Sequence, residues 1–90
     1  MKFTKFSSPF HPGEILQEEF LEIKNISQIG FSKKIKWTPR KLNEIIKGKR
    51  AVTALSAIDL SKALGTTPEF WLNLQQAWDL DQAYKHKKSS

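Results

Sequence analysis

The chain has 90 residues, 39% of them hydrophobic and 27% charged, which is enough for one folded domain with a small core rather than a disordered tail. It has no cysteine, which excludes disulfides and cysteine-based metal sites, and no apolar run long enough to cross a membrane. The polar N-terminus does not resemble a signal peptide, so we expect a cytoplasmic protein that makes no membrane contact.

The first predicted helix follows a short N-terminal arm. Two prolines discourage helix formation early in the chain, so residues 1–12 are expected to form an extended arm. From Gly13 onward, apolar residues recur with helical spacing, and Glu14 lies where the helix dipole favours a negative charge. This helix is predicted to end near residues 24–25.

Two helices separated by a short turn are predicted next. Ser27 is suited to cap the second helix. The inward face of that helix would hold Ile29, Phe31, Ser32 and Ile35. A third helix is predicted to begin after Thr38, with Pro39 at its first position, and to stop at Gly48. Its apolar stripe consists of Leu42, Ile45 and Ile46.

Two further helices complete the predicted fold. Thr53 is suited to cap the fourth helix. The fifth helix is predicted to begin like the third, with a capping threonine, Thr67, followed by a proline, Pro68. The stripe of the fourth helix would be Leu55, Ile58, Leu60, Ala63 and Leu64. No strand is predicted, so the sequence indicates an all-α, five-helix domain over residues 13–84. The basic tail of residues 85–90 lacks packing residues, and we expect it to be disordered.

Positive charge is concentrated around the third helix. The chain has 15 Lys and Arg against 9 Asp and Glu, a net charge of +6. Residues 32–50 carry +7 because Glu44 is their only acidic residue. Their cations are Lys33, Lys34, Lys36, Arg40, Lys41, Lys47, Lys49 and Arg50. A basic patch this local indicates a polyanionic partner, although an ordinary solvated face can have the same composition.

The second and third helices have the spacing of a helix-turn-helix motif. In that motif the second helix of the pair enters the major groove, and its N-terminal residues contact base edges. Arg40, Lys41 and Asn43 lie at that end, and Arg can pair with guanine and Asn with adenine. Phosphate contacts are predicted for Gln28, Lys47, Lys49 and Arg50. Charge, spacing and exposure therefore agree on double-stranded DNA as the partner.

The fifth helix has more aromatic surface than a small core is expected to absorb. Trp71 and Trp78 are seven residues apart, and we assign them to a subunit interface. Leu74 is assigned to the same interface, although Leu74 and Phe70 could equally pack in the core. A two-fold dimer would place two recognition helices about 34 Å apart and imply a palindromic operator.

No catalytic or metal-binding arrangement is visible in the sequence. The only histidines, His11 and His86, lie at opposite ends of the chain, and Glu18 and Glu19 diverge on a helix. The "GKR" at 48–50 lacks the remaining residues of a phosphate-binding loop. We therefore expect no enzymatic activity, no metal and no cofactor.

Four segments resemble the HigA-type antitoxins, also called the VapI-like group, of the lambda-repressor-like helix-turn-helix class. They are "HPGEIL" at 11–16, "ISQ" at 26–28, "PRKLNEIIKGKRAVT" at 39–53 and "ALGTTPEFWLNLQ" at 63–75. The resemblance implies a homodimer that binds the promoter of its own operon and neutralises a HigB-type toxin, an mRNA-cleaving ribonuclease. The implied DNA-contacting positions are Gln28, Thr38, Arg40, Lys41 and Asn43, which adds Thr38 to the base-reading set.

The sequence departs from that family at the motif itself. Ser32 stands where the family often has alanine, and its hydroxyl needs a hydrogen-bond partner. Lys36 stands where the turn commonly has glycine, so Lys36 must adopt a left-handed backbone conformation or the turn must differ. Trp37 is bulkier than the aliphatic residue expected there.

Two other functions are compatible with the same residues. A stand-alone helix-turn-helix repressor would use the same DNA-binding residues but would have no toxin partner. A protein-binding scaffold would carry the basic patch without binding DNA. Copurification of a nuclease separates the antitoxin from the first alternative, and the salt dependence of DNA binding excludes or supports the second.

Overall fold

The computed structural model describes residues 9–89, and residues 1–8 of the predicted arm lie outside that range. The helices are α1 (Pro12–Ile15), which continues directly into a π-helical segment (Leu16–Leu21), α2 (Gln28–Ile35), α3 (Pro39–Ile46), α4 (Ala54–Leu64) and α5 (Pro68–Ser89). Turns connect them, and no strand occurs between residues 9 and 89. The predicted all-α fold with five helices is confirmed.

A single core lies where the five helices meet. Helix α3 packs against α1 and α2, α4 packs against α2 and α5, and α5 also reaches α1. The largest fully buried apolar side chains are Leu16, Leu21, Phe31, Leu42, Ile45, Leu60 and Trp71. Full burial of each such side chain stabilises the fold by about 1.5–3 kcal/mol. Because these residues come from every helix, the core holds the whole α2–α3 pair in place.

The first helix is less regular than its sequence predicts. After Ile15 its hydrogen bonds join residues five apart. This wider turn brings Leu16 and Leu21 to the same side, and both are fully buried. In a regular α-helix, positions five apart would differ by about 140° around the axis. The helical segment then ends at Leu21 rather than near residues 24–25.

Residues 11–14 form a closed helix start. His11 Nδ1 accepts a hydrogen bond from the Gly13 backbone N at 2.9 Å, and Glu14 Oε1 accepts one from the His11 backbone N at 3.2 Å. This reciprocal cap satisfies backbone donors that a helix start leaves free. Gly13 lies against α3, since a Cβ built on it would be 1.8 Å from the Ile45 carbonyl oxygen. The helix therefore begins at Pro12, and His11, for which the sequence suggests no role, is its cap.

The apolar stripes of α2 and α4 are narrower than predicted. Ile29, Leu55 and Ile58 were expected to point inward, but they are 54%, 76% and 39% exposed. Phe31 and Leu60 on the same two helices are fully buried, as predicted. Periodicity identifies the apolar side of a helix, but the neighbouring helices decide how much of that side is covered.

Helix α5 is longer than predicted. The structure continues it through Ser89, where a disordered tail is expected from residue 85 onward. Neither glycine nor proline follows Pro68 in the sequence, so no helix breaker interrupts α5. Lys85 Nζ also lies 3.0 Å from Asp81 Oδ2, an ion pair one turn apart that supports the helix.

Trp71 belongs to the core rather than to a subunit interface. Its side chain is fully buried, and its ring packs against Phe20 and Phe70 at centroid distances of 5.4 and 5.0 Å. The indole Nε1 donates a hydrogen bond to Thr66 Oγ1 at 2.7 Å. The interface role predicted for Trp71 is wrong, because its own protomer covers the whole side chain. Phe70, its neighbour in the chain, remains 39% exposed.

Candidate nucleic-acid interface

Helices α2 and α3 begin with the predicted caps. Ser27 Oγ accepts a hydrogen bond from the Gly30 backbone N at 3.0 Å, and Thr38 Oγ1 accepts one from the Lys41 backbone N at 3.1 Å. Pro39 occupies the first turn of α3, as predicted. The Thr38 hydroxyl is thus engaged in capping, although the residue itself is exposed at the leading end of α3.

The turn between the two helices is left-handed at Lys36. Its backbone angles are φ 62° and ψ 36°, the first of the two possibilities left open by the sequence. The Trp37 backbone N then donates to the Ser32 carbonyl oxygen at 3.0 Å, which closes α2. Ser32 Oγ donates to the Ile29 carbonyl oxygen at 2.8 Å, so the buried hydroxyl has the partner that it requires.

Trp37 anchors the start of α3 to α4. Its side chain is buried, and its Nε1 donates a hydrogen bond to Asp59 Oδ2 at 2.9 Å. Lys41 Nζ lies 4.4 Å from the centroid of the Trp37 ring, within the range of a cation–π contact. The structure therefore places Lys41 over the indole, half-buried, rather than extended from the exposed face of α3.

An amide pair joins the start of α2 to the middle of α3. Asn43 Nδ2 donates a hydrogen bond to Gln28 Oε1 at 3.2 Å, and both residues are half-buried. The pair brings a predicted phosphate contact and a predicted base reader together. It fixes the direction of both amides, and the Asn43 oxygen and the Gln28 NH₂ group are not used in this bond.

Glu44 binds both of the predicted DNA-binding arginines, Arg40 and Arg50. Its Oε2 accepts a hydrogen bond from Arg40 Nε at 3.2 Å, and its Oε1 accepts from Arg50 Nε and Nη2 at 2.9 and 2.6 Å. Hydrogen bonds from Arg50 first, and then from Arg40, hold the pKa of the Glu44 carboxyl below its ordinary value. The backbone N of Lys49 and that of Arg50 also donate to the Glu44 carbonyl oxygen, at 2.8 and 3.2 Å.

The other predicted phosphate contacts lie beyond the end of α3. Lys47 and Lys49 are exposed, and Gly48 between them has φ 76°, which ends the helix as predicted. Helix α3 has eight residues and is therefore about 12 Å long. Gln28 contacts the middle of α3 through Asn43, whereas these lysines follow its last turn.

The other two residues predicted for the dimer interface, Leu74 and Trp78, are only partly exposed. Leu74 is half-buried and packs against the core. Trp78 is also half-buried, with its ring edge-on to the His11 ring at a centroid distance of 5.3 Å. The larger exposed apolar side chains of this part of α5 are Leu80 and Tyr84, at 51% and 66%. The sequence assigns neither to an interface, although their spacing of four residues places them on one helix face.

Gln75 is a structural residue that the sequence does not reveal. It is buried, and its Oε1 accepts a hydrogen bond from the Val52 backbone N at 2.8 Å. Its Nε2 donates to Asp79 Oδ1 at 2.9 Å. Gln75 therefore fastens the loop after α3 to α5. Asn73 and Gln76 are amides close by in the sequence, so residue type alone does not single out Gln75.

Two other kinds of feature are absent from the described part of the chain. Between residues 9 and 89, no three side chains of His, Asp or Glu are grouped closely enough to hold a metal ion. None of the helices in that range combines the length and apolarity that crossing a membrane requires.

The family follows from comparison with known proteins. Residues 18–71 match the Helix-turn-helix family. Antitoxin HigA-1 of Vibrio cholerae is 38% identical over 90 residues, covering 97% of this chain and 84% of that protein. The chain belongs to the HigA-type helix-turn-helix antitoxins. Both the predicted family and the predicted fold class are thus confirmed.

Solved structures of HigA-type proteins have the same fold. An addiction module antidote protein of the HigA family from Coxiella burnetii superimposes with a TM-score of 0.85 at 41% identity, covering 92% of this chain and 90% of that one. Pseudomonas aeruginosa antitoxin HigA, solved with the higBA promoter, also has a TM-score of 0.85, at 36% identity and with coverage of 90% and 88%. The helix-turn-helix therefore lies within a fold shared along nearly the whole chain.

We expect His11 to make the stability of this HigA-type domain dependent on pH. Burial lowers the pKa of His11 below its ordinary value of 6.5, and this outweighs the nearby Glu14 and Asp79 carboxylates. Below about pH 6.5 the unfolded chain binds a proton at this histidine that the folded chain resists, so the free energy of unfolding should fall there and be constant above it. Urea unfolding followed by circular dichroism at about pH 7.5 and about pH 5.5 measures this change.

Two variants separate this histidine from the other one. His11→Asn retains an oxygen that can cap the helix and should lose most of the pH dependence. His86→Gln, at an exposed position of α5, should retain it. An unchanged dependence in His11→Asn would show that other groups cause it.

Proposed function

We propose that this HigA-type protein is a DNA-binding antitoxin of the cytoplasm. It forms a homodimer, represses its own operon and neutralises a HigB-type mRNA-cleaving toxin. The observation that carries the proposal is the capped and packed α2–α3 motif with cationic and amide side chains around the first turns of α3. Its similarity to Pseudomonas aeruginosa HigA, solved with the higBA promoter, supports DNA binding through this motif.

We assign base reading chiefly to Arg40 and Asn43. The Arg40 side chain is 85% exposed, and its terminal NH₂ groups suit the O6 and N7 acceptors of guanine. Asn43 would present its oxygen in a direction set by Gln28, whose NH₂ group suits a phosphate. Lys41 would have to leave the Trp37 ring to reach a base, and Thr38 lies at the leading end of α3.

We still assign the dimer interface to α5, but to a different set of residues from the one predicted from the sequence. Trp71 is excluded by its burial, whereas Leu74 and Trp78 retain some exposed surface. Leu80 and Tyr84 are exposed farther toward the C-terminus, on an adjoining face about 120° around the helix axis. Pairing of two α5 helices would bury this apolar surface and set two α3 helices about one DNA turn apart, which suits a palindromic operator.

Base readout and phosphate contact have different signatures in DNA binding. Arg40→Ala and Asn43→Ala should each weaken binding to the region upstream of the gene by about 1–3 kcal/mol, with little effect on a scrambled duplex. Lys47→Ala and Lys49→Ala should weaken binding to both duplexes. Each of these two should reduce the slope of log K against log salt by about 0.9. Fluorescence anisotropy at several salt concentrations measures both quantities.

Controls decide between these roles and a protein-binding scaffold. Lys62→Ala removes an exposed lysine of α4 outside the motif and should leave binding unchanged. Equal losses on both duplexes for Arg40→Ala and Asn43→Ala would refute base readout. If the wild-type chain binds neither duplex in a salt-dependent way, the scaffold is the better description.

The toxin half of the proposal needs a separate experiment. The tagged chain, expressed from its native operon, should copurify with a small basic nuclease that mass spectrometry identifies as the neighbouring gene product. A parallel purification from cells carrying the untagged chain controls for adventitious capture. Repeated absence of such a nuclease, with DNA binding intact, would leave a stand-alone repressor.

A further inference from the structure

Glu44 is a negative charge in the middle of the proposed DNA-binding surface. It is the only acidic residue among residues 32–50 and lies on α3 itself. A carboxylate at such a position repels phosphates, so it opposes the binding that the surrounding cations favour. Its side chain is still 26% exposed, so the carboxylate remains accessible at the surface that would face DNA.

Both carboxylate oxygens of Glu44 are occupied, each by a different arginine. Oε2 accepts from Arg40 Nε at the start of α3, and Oε1 accepts from Arg50 Nε and Nη2 beyond its end. The Arg50 backbone N also donates to the Glu44 carbonyl oxygen at 3.2 Å. One carboxylate, that of Glu44, thus binds both Arg40 at the start of α3 and Arg50 beyond its end.

The atoms used by the two arginines differ. Arg40 contacts Glu44 through Nε, and this bond does not use its two terminal NH₂ groups, the pair that can donate to guanine O6 and N7. Arg50 is engaged through both Nε and Nη2, so one edge of its guanidinium is committed to Glu44. The Arg40 side chain is 85% exposed and that of Arg50 is 47% exposed, so without Glu44 both could turn toward phosphates.

We propose that Glu44 is a positioning residue that determines DNA specificity. It orients Arg40 for base readout and restrains both arginines from binding the phosphates of unrelated sequences. The inference rests on the proposed function, since it requires that α3 reads DNA. On a cognate site Arg40 keeps its Nε bond to Glu44 while its NH₂ groups contact the base. On other sequences the same carboxylate withholds two cations and adds repulsion.

Glu44→Gln tests this role, because glutamine preserves size but removes the charge that holds the arginines. Binding to a scrambled duplex should become about tenfold tighter, with a slope of log K against log salt steeper by about 0.9 for each arginine released. Binding to the duplex from upstream of the gene should change less, so the ratio of the two affinities should fall about tenfold. Glu19→Gln removes the same charge at an exposed position outside the block and should leave the ratio unchanged.

Two further variants distinguish positioning from simple repulsion. Glu44→Asp retains the charge but is too short to span both arginines, so it should also lower the affinity ratio. In an Arg40→Ala background, Glu44→Gln should have a much smaller effect on the ratio. Thermal unfolding of each variant verifies that the domain is folded.

The outcomes overturn different statements. Equal changes on both duplexes for Glu44→Gln, or wild-type specificity in Glu44→Asp, would reduce Glu44 to general repulsion and overturn the inference. A wild-type chain that does not distinguish the two duplexes would overturn the proposed function itself.

Discussion

Gly13→Ala should destabilise the domain by about 3 kcal/mol or more and leave it largely unfolded if its total stability is at the low end for small domains. The added Cβ would lie 1.8 Å from the Ile45 carbonyl oxygen and 2.7 Å from the Ile46 Cα. These are backbone atoms of α3 and cannot rotate away, so α1 would have to separate from α3. DNA binding should be lost with the fold, because Ile45 belongs to the recognition helix.

Gly30→Ala is the matched control for this substitution. A Cβ at Gly30 would lie 3.1 Å from Ser27 Oγ, the end of a side chain that can adjust. Alanine also favours a helix by about 1 kcal/mol over glycine, so the two effects should nearly cancel. Urea unfolding followed by circular dichroism compares the variants. Similar stabilities for Gly13→Ala and Gly30→Ala would show that α1 and α3 can tolerate separation.

Trp71→Ala should reduce the free energy of unfolding by about 3–5 kcal/mol, the usual cost of removing a buried tryptophan. The loss includes the packing against Phe20 and Phe70 and leaves the Thr66 hydroxyl without its indole donor. The effect arises inside one protomer, so we expect the same destabilisation at every protein concentration. Tyr84→Ala, at a residue 66% exposed, should change protomer stability by no more than about 0.5 kcal/mol.

Unfolding at several protein concentrations, together with sedimentation, separates core from interface. A Trp71→Ala chain with wild-type stability that had become monomeric would restore the interface role predicted from the sequence. Destabilisation of Tyr84→Ala relative to the wild type that shrinks on dilution would instead locate subunit contact at the exposed part of α5.

The helix starts could be predicted from the sequence because capping is local. Ser27, Thr38, Thr53 and Thr67 each accept a hydrogen bond from a backbone N three residues later. Such bonds require only the residue type and its distance from the next apolar run. The sequence did not decide the conformation of the turn at Lys36, because lysine has no intrinsic preference for the left-handed region.

Burial on α5 could not be predicted in the same way. Phe70 and Trp71 are adjacent and both aromatic, yet one is 39% exposed and the other fully buried. The Phe20 ring lies closer to Trp71, at 5.4 Å between centroids, than to Phe70, at 6.3 Å, and the Thr66 hydroxyl accepts the indole hydrogen bond of Trp71. No pattern within α5 contains the positions of these partners.

The sequence by itself determined the five helices, the caps of the last four, the basic block and the HigA-type family, since each depends on residues that are near one another in the chain. The tertiary structure alone decided the roles of His11, Gly13 and Trp71. It also joined Arg40 and Arg50 through Glu44, because a long side chain can satisfy partners that only folding brings within reach. Packing between helices, rather than pattern within one, assigns each side chain to the core, to a cap or to the DNA-facing surface.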